Sequence, residues 1–134
     1  MRLRFDIEDY LKEIQQYEMI TLEEEQALAA RIRQGDKEAI EALKNSKLRF
    51  IVSLVRQYHK EDIDPMFLIH HGNQTLEQAA VKFAEEAVNE PFIKYAIPIV
   101  RKGLDEYVAD YNKLVQEQIN QALEEAKTRE EEAL

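Results

Sequence analysis

Apolar residues return along this chain at helical spacing from its first turn. Ile7, Tyr10, Leu11 and Ile14 fall at i, i+3, i+4 and i+7, with Asp6 placed as an N-cap and Asp9 in the first turn. A second helix opens at Thr21-Leu22-Glu23-Glu24, where Thr21 and Glu24 form a capping-box pattern. It runs through Leu28 and Ile32 and stops at Gly35. Asp36 caps a longer helix with apolar positions Ile40, Leu43, Leu48, Phe50, Ile51, Val52, Leu54, Val55 and Tyr58. From Leu48 to Val55 these cover more than one face, which predicts a central helix of the core.

The run from Lys60 to Pro65 is a charged connector, and Asp64-Pro65 reads as an N-cap followed by the first helical residue. Gly72 is expected to break or turn that segment. From Thr75 a new stripe follows at Leu76, Ala79, Ala80, Phe83 and Ala87, and Asn89-Glu90-Pro91 ends it. Tyr95 to Leu123 reads as one long helix, which Pro98 should kink or start late, with Gly103 a second soft point. Leu104, Val108, Tyr111, Val115, Ile119 and Ala122 then step by four and three, a coiled-coil-like seam. Lys127 to Glu132 are expected to fray. The pattern predicts an all-α fold: a compact helical core over residues 1–104 and an acidic helical extension over 105–134.

Composition sharpens this in three ways. With 134 residues and only three Gly and three Pro, one helical domain is favoured over a many-turned sheet fold. No Cys is present, so thiolate metal sites and disulfides are excluded. The net charge of −9 is uneven: residues 103–134 hold three basic and nine acidic side chains. Such a balance disfavours a free-standing DNA binder, because phosphate neutralisation supplies most non-specific affinity. No apolar run reaches the roughly 18–20 residues of a membrane span, and no apolar run follows the basic residues of Met1-Arg2-Leu3-Arg4-Phe5 as in a signal peptide. A cytoplasmic location is expected.

Candidate chemistry is sparse. His70 and His71 are adjacent and project about 100° apart on a helix, the wrong geometry for one metal. Acidic runs such as Glu23-Glu24-Glu25 and Glu85-Glu86 read as solvated helix faces. No nucleophile–base pattern surrounds Ser46, Ser53, Thr21, Thr75 or Thr128. The expectation is a binding protein, not an enzyme, with no metal and no cofactor. The seam through Leu104, Val108, Tyr111, Val115 and Ile119 either folds onto its own bundle or takes a helical partner or a second copy.

Five segments in order carry a resemblance beyond helical periodicity. Asp6 to Ile14 resembles the D-x-x-x-Y-L-x-E-I opening of the sigma-70 family of bacterial RNA polymerase sigma factors. Ile20 to Glu25, with Ala30 to Asp36 behind it, resembles that family's next block. Leu48-Arg49-Phe50-Ile51-Val52-Ser53-Leu54-Val55, ending at Tyr58, is similar to its L-R-x-V-V-S-x-A-x-x-Y helix. Leu68-Ile69-His70-His71-Gly72-Asn73 is similar to L-I-x-E-G-N, with Leu76, Ala79, Lys82 and Phe83 in register. Phe92-Ile93-Lys94-Tyr95-Ala96 resembles the start of the promoter-melting helix. The blocks cover roughly residues 6–104.

The resemblance implies the fold of the family's second domain, docked on a coiled coil of the polymerase clamp and capturing single-stranded promoter DNA by stacking and cationic contacts. On it, Phe67, His70, His71, Asn73 and Leu76 are expected at the polymerase interface, and Lys47, Arg49, Tyr95, Arg101 and Lys102 at nucleic acid. The sequence also departs from the family. Pro98-Ile99 replace a tryptophan pair, and Lys47 replaces a promoter-reading asparagine. Ala84-Glu85-Glu86-Ala87 replace basic residues, and Asp105, Glu106 and Asp110 stand where promoter-facing residues belong. Phe67, His70, His71 and Glu77 stand where the family has an acid, a glutamine, an acid and a hydrophobic residue. Weakened or lost promoter recognition is expected, in a divergent protein that lacks the family's C-terminal promoter-binding domains and is complete as it stands.

Overall fold

The computed structural model describes residues 7–134, and every regular element among them is helical. In chain order these are α1 (Ile7–Ile14), α2 (Leu22–Arg33), α3 (Lys37–Asn45), α4 (Leu48–Val55), a 3-10 turn (Arg56–Tyr58), α5 (Pro65–Glu85) and α6 (Phe92–Ala133). The expected cap at Asp6 lies outside the described residues. Among the described residues, no helix is long and apolar enough to cross a membrane. The chain forms two compact units, Met1–Leu104 and Asp105–Leu134.

Local signals set most helix ends. The Thr21 hydroxyl accepts from the Glu24 amide at 3.1 Å while the Glu24 carboxylate accepts from the Thr21 amide at 3.3 Å, a closed capping box. Past α2, Gly35 adopts φ +90°, a conformation a side chain would oppose. The Asp36 carboxylate then accepts from the amides of Glu38 and Ala39 and so starts α3. Asp64 caps α5 by accepting from Met66, with Pro65 at the first helical position.

Several expectations are corrected. The helix predicted from Asp36 to Tyr58 is broken at Ser46–Lys47, where the Ser46 hydroxyl donates back to the Leu43 carbonyl at 2.7 Å. Lys47 leaves helical geometry there, at φ −119° and ψ 6°. The break lets Leu43 of α3 and Ile51, Val52, Leu54 and Val55 of α4 all be buried. Gly72 neither ends nor bends a helix, because α5 runs unbroken from Pro65 to Glu85. Its role is close packing: a Cβ at Gly72 would stand 2.8 Å from Cγ2 of the buried Ile51. Similarly, Gly103 is a point of close approach and not a soft spot, since its Cβ would meet the Thr75 hydroxyl at 3.0 Å. α6 begins at Phe92, ahead of Pro98, and continues past Lys127 to Ala133. Pro98 removes the amide that would bond the Lys94 carbonyl, on an exposed side of the helix.

α5 is the centre of the first unit, in contact with α2, α3 and α4. Its Leu68, Ile69, Leu76, Ala79, Ala80 and Phe83 are buried, as are Phe92, Ala96, Val100 and Leu104 of α6. Each fully buried large apolar side chain contributes about 1.5–3 kcal/mol. Phe83 meets Phe92 edge-on at 5.1 Å and Tyr95 at 5.6 Å. α5 ends in a strained turn: the Ala87 amide donates to Ala84 and the Val88 amide to Phe83, with Ala87 itself at φ +50°.

Candidate functional site

The Asp64 cap fixes the register of α5, and that register sorts the five residues expected at the polymerase. Phe67 and His70 are exposed and His71 is half-buried. With exposed Gln74 they follow i, i+3, i+4 and i+7 spacing along one outer face. Phe67 shows 58% of its surface, unusual for a phenylalanine in a folded core segment. Leu76 points the other way and is fully buried, so it is out of a partner's reach, and its expected place as a contact is corrected. Asn73 is half-buried, and its amide donates to the Tyr10 hydroxyl at 2.8 Å. Burial raises the Tyr10 phenol pKa despite that hydrogen bond. Glu77, also on α5, meets Lys44 of α3 at 3.5 Å, and Lys44 holds Glu41 at 3.0 Å. Burial alone would lower the Lys44 pKa, but the two carboxylates outweigh it and raise it.

The residues expected at nucleic acid are split by depth. Lys47 is not on the surface. Its side chain is 5% exposed and its ammonium lies 2.8 Å from a carboxylate oxygen of Glu25, itself 2% exposed. The other Glu25 oxygen accepts from the Phe92 amide at 2.9 Å. One buried carboxylate of α2 therefore ties the α3–α4 turn to the first turn of α6 and satisfies a helix N-terminus. As a nucleic-acid contact Lys47 is corrected, because its charge is neutralised inside the core.

Arg49 and Arg101 are exposed and held from behind. Arg49 donates to the Tyr17 carbonyl at 3.0 Å, and Arg101 to the Gln57 side chain at 2.9 Å. Lys102 is exposed. Tyr95 is half-buried, and its hydroxyl donates to the Glu86 carboxylate at 2.8 Å. Desolvation and the adjacent Glu86 push its pKa up to about 12. Two residues not expected at nucleic acid join Arg49: Ser53 at i+4 on the outer face of α4, and Arg56 at i+7, the first residue of the 3-10 turn that follows. The three line a cleft of about 380 Å³ with Leu11, Ile14, Gln15 and Val52. That spacing was available in the sequence. The apolar wall contributed by α1 was not. Two guanidinium groups over an apolar floor suit an anionic group joined to a flat or apolar body.

Comparisons with known proteins point one way. Residues 7–38 match the family model described as Sigma-70 factor, region 1.2. The RNA polymerase sigma factor SigA of Listeria monocytogenes is 37% identical over 101 residues, covering 75% of this chain and 27% of that protein. SigA of Listeria innocua matches over the same shares at 37% identity. SigA of a Bacillus species is 34% identical over 101 residues, 75% of this chain and 26% of its own. The chain thus spans about a quarter of the length of the curated relatives it matches.

Proposed function

From the premise that this chain belongs to the sigma-70 family through a segment covering three quarters of its length, we propose that it acts in transcription by binding the RNA polymerase core. The observation that carries this reading is the outer face of α5, where Phe67, His70, His71 and Gln74 form an accessible strip with an exposed aromatic at one end. An exposed aromatic bordered by polar groups is the composition of a docking hot spot. The action is binding, not catalysis.

Promoter reading is weakened in this proposal. Lys47 is held by Glu25, Tyr95 by Glu86, and the exposed acids Glu85 and Glu86 border that region with half-buried Glu90. Negative charge near phosphates opposes binding. Arg49, Arg56, Arg101 and Lys102 remain exposed and supply the residual affinity for a nucleic-acid strand.

Pull-down of RNA polymerase core tests the reading. Phe67→Ala and Gln74→Ala should weaken capture at least tenfold while leaving the helical content intact, because both side chains are exposed. Full capture by the doubly substituted protein overturns the α5 docking face. In a parallel titration with a labelled single-stranded oligonucleotide, affinity should be weak and should fall with salt. Tight binding that survives Arg49→Ala with Arg56→Ala contradicts the weakened promoter surface.

A second reading, an interaction module working through the C-terminal part of α6, is favoured by the exposure of Leu114, Ile119 and Leu123.

A further inference from the structure

The second unit, taken by itself, has an open apolar face. Tyr111 and Val115 are half-buried, while Leu114, Ile119 and Leu123 are 55%, 46% and 64% exposed. At about 100° per residue, Tyr111, Val115, Ile119, Ala122 and Ala126 fall within a sector roughly 80° wide, with Leu114 and Leu123 at its margins. The apolar positions step by four, three and four from Leu104, so the pattern repeats from Leu104 to Val115 to Ala126. An 11-residue repeat lies close to the natural pitch of the helix, and the stripe follows the axis without the left-handed supercoil of a heptad seam.

Charge is segregated around that face. Glu106, Asp110, Glu117, Glu124 and Glu131 lie on the opposite side. The margins beside Val115 and Ile119 carry the neutral Asn112, Gln116 and Gln118. Farther on, Glu125, Glu130 and Glu132 border the stripe and Arg129 lies within it, so that end keeps an excess of two negative charges. A second copy fits poorly. Parallel pairing sets two ends of net negative charge against each other even with Arg129 counted, and antiparallel pairing centred on the stripe brings Glu132 toward Asp105. Like charges facing each other across an apolar seam disfavour the pair.

We infer that this face docks an amphipathic helix of another protein whose apolar stripe is flanked by lysine or arginine at the end that meets Glu125, Glu130 and Glu132. The neutral amides set no charge requirement along the middle of the contact. The site is separate from the α5 face, so it deepens the interaction-module reading and stands or falls apart from polymerase binding.

Two labelled helical peptides test it against the full chain by fluorescence anisotropy. Both carry leucine at the 4-3-4 spacing; one has lysine at the flanking positions of one end, the other glutamate. The lysine peptide should bind at least tenfold more tightly than the glutamate peptide. Ile119→Glu with Leu123→Glu should weaken its binding at least tenfold, with unchanged far-UV circular dichroism. Asn120→Glu with Thr128→Glu, which adds the same charge off the face, should leave binding within twofold. If both variant pairs behave alike, the attraction is charge alone and the docking face is overturned. Failure of the lysine peptide to bind overturns it as well. So does sedimentation equilibrium showing a dimer of the full chain that Ile119→Glu dissociates, because the occupant is then a second copy.

Discussion

Replacing Lys47 by methionine keeps most of the side-chain length and removes the ammonium that sits 2.8 Å from Glu25. The carboxylate left behind is 2% exposed and keeps one partner, the Phe92 amide. Removing one member of a buried pair costs about 3–5 kcal/mol, because the remaining charge is uncompensated. That is a large share of the roughly 5–15 kcal/mol that holds a domain folded. Urea unfolding followed by circular dichroism should therefore show a large drop in midpoint for Lys47→Met. Adding Glu25→Gln removes the orphan charge while its amide oxygen still accepts from Phe92. The double variant should recover more than half of the loss, a coupling of about 2 kcal/mol or more. Both results should be nearly independent of salt, since a pair this deep is little screened. A loss under about 1 kcal/mol, the range of exposed pairs, or one that vanishes at high salt, refutes the assignment of Lys47 to the core and returns it to the surface.

Three further outcomes follow from other parts of the first unit. Gly72→Ala gains about 1 kcal/mol in helix propensity but overpacks against Ile51, at about 1–3 kcal/mol. A net loss is expected in urea unfolding, and Ile51→Ala combined with it should cost less than the two singles summed. Ala87→Gly relieves a side chain held at φ +50° and should stabilise by about 1 kcal/mol, read as a raised urea midpoint. Ultraviolet titration should find a tyrosine ionising near 12, above the ordinary 10.0, and Glu86→Gln should lower it. The sign follows from the raised folded value: this contribution to stability is fully present below pH 10 and is lost as pH rises through about 12.

What the sequence disclosed was what closes within a few residues. Thr21 and Glu24, Asp36, and Asp64 with Pro65 each complete their hydrogen bonds inside one helical turn, so the pattern alone names the helix start. The same holds for the outer strip of α5, where exposure follows spacing once the register is fixed. Lys47 could not be read this way, because its partner is set by how α2 packs against the α3–α4 turn. Glycine carried the same ambiguity. Its presence at position 72 signals either a break or a near contact, and only Ile51 on another helix decides between them. The Ser46 turn was hidden because Lys44, Lys47 and Leu48, good helix formers, surround the cap-favouring Asn45-Ser46 pair, and burial on more than one face was satisfied by folding the chain back. Leu76 matched a family position, yet its place in the apolar stripe with Ala79, Ala80 and Phe83 already marked the buried side of α5, and the structure follows the stripe.

The carboxylate of Glu25 also bears on the order in which the molecule can be built. A helix is costly to nucleate, since its first turn fixes several residues for one hydrogen bond. α6 starts at a residue whose amide is received by a side chain 67 positions earlier in the chain. During synthesis α2 emerges first, so the acceptor is in place before Phe92 is made. The early helices thus act as a template for the longest one, and a fragment starting after α2 would have to begin α6 without it.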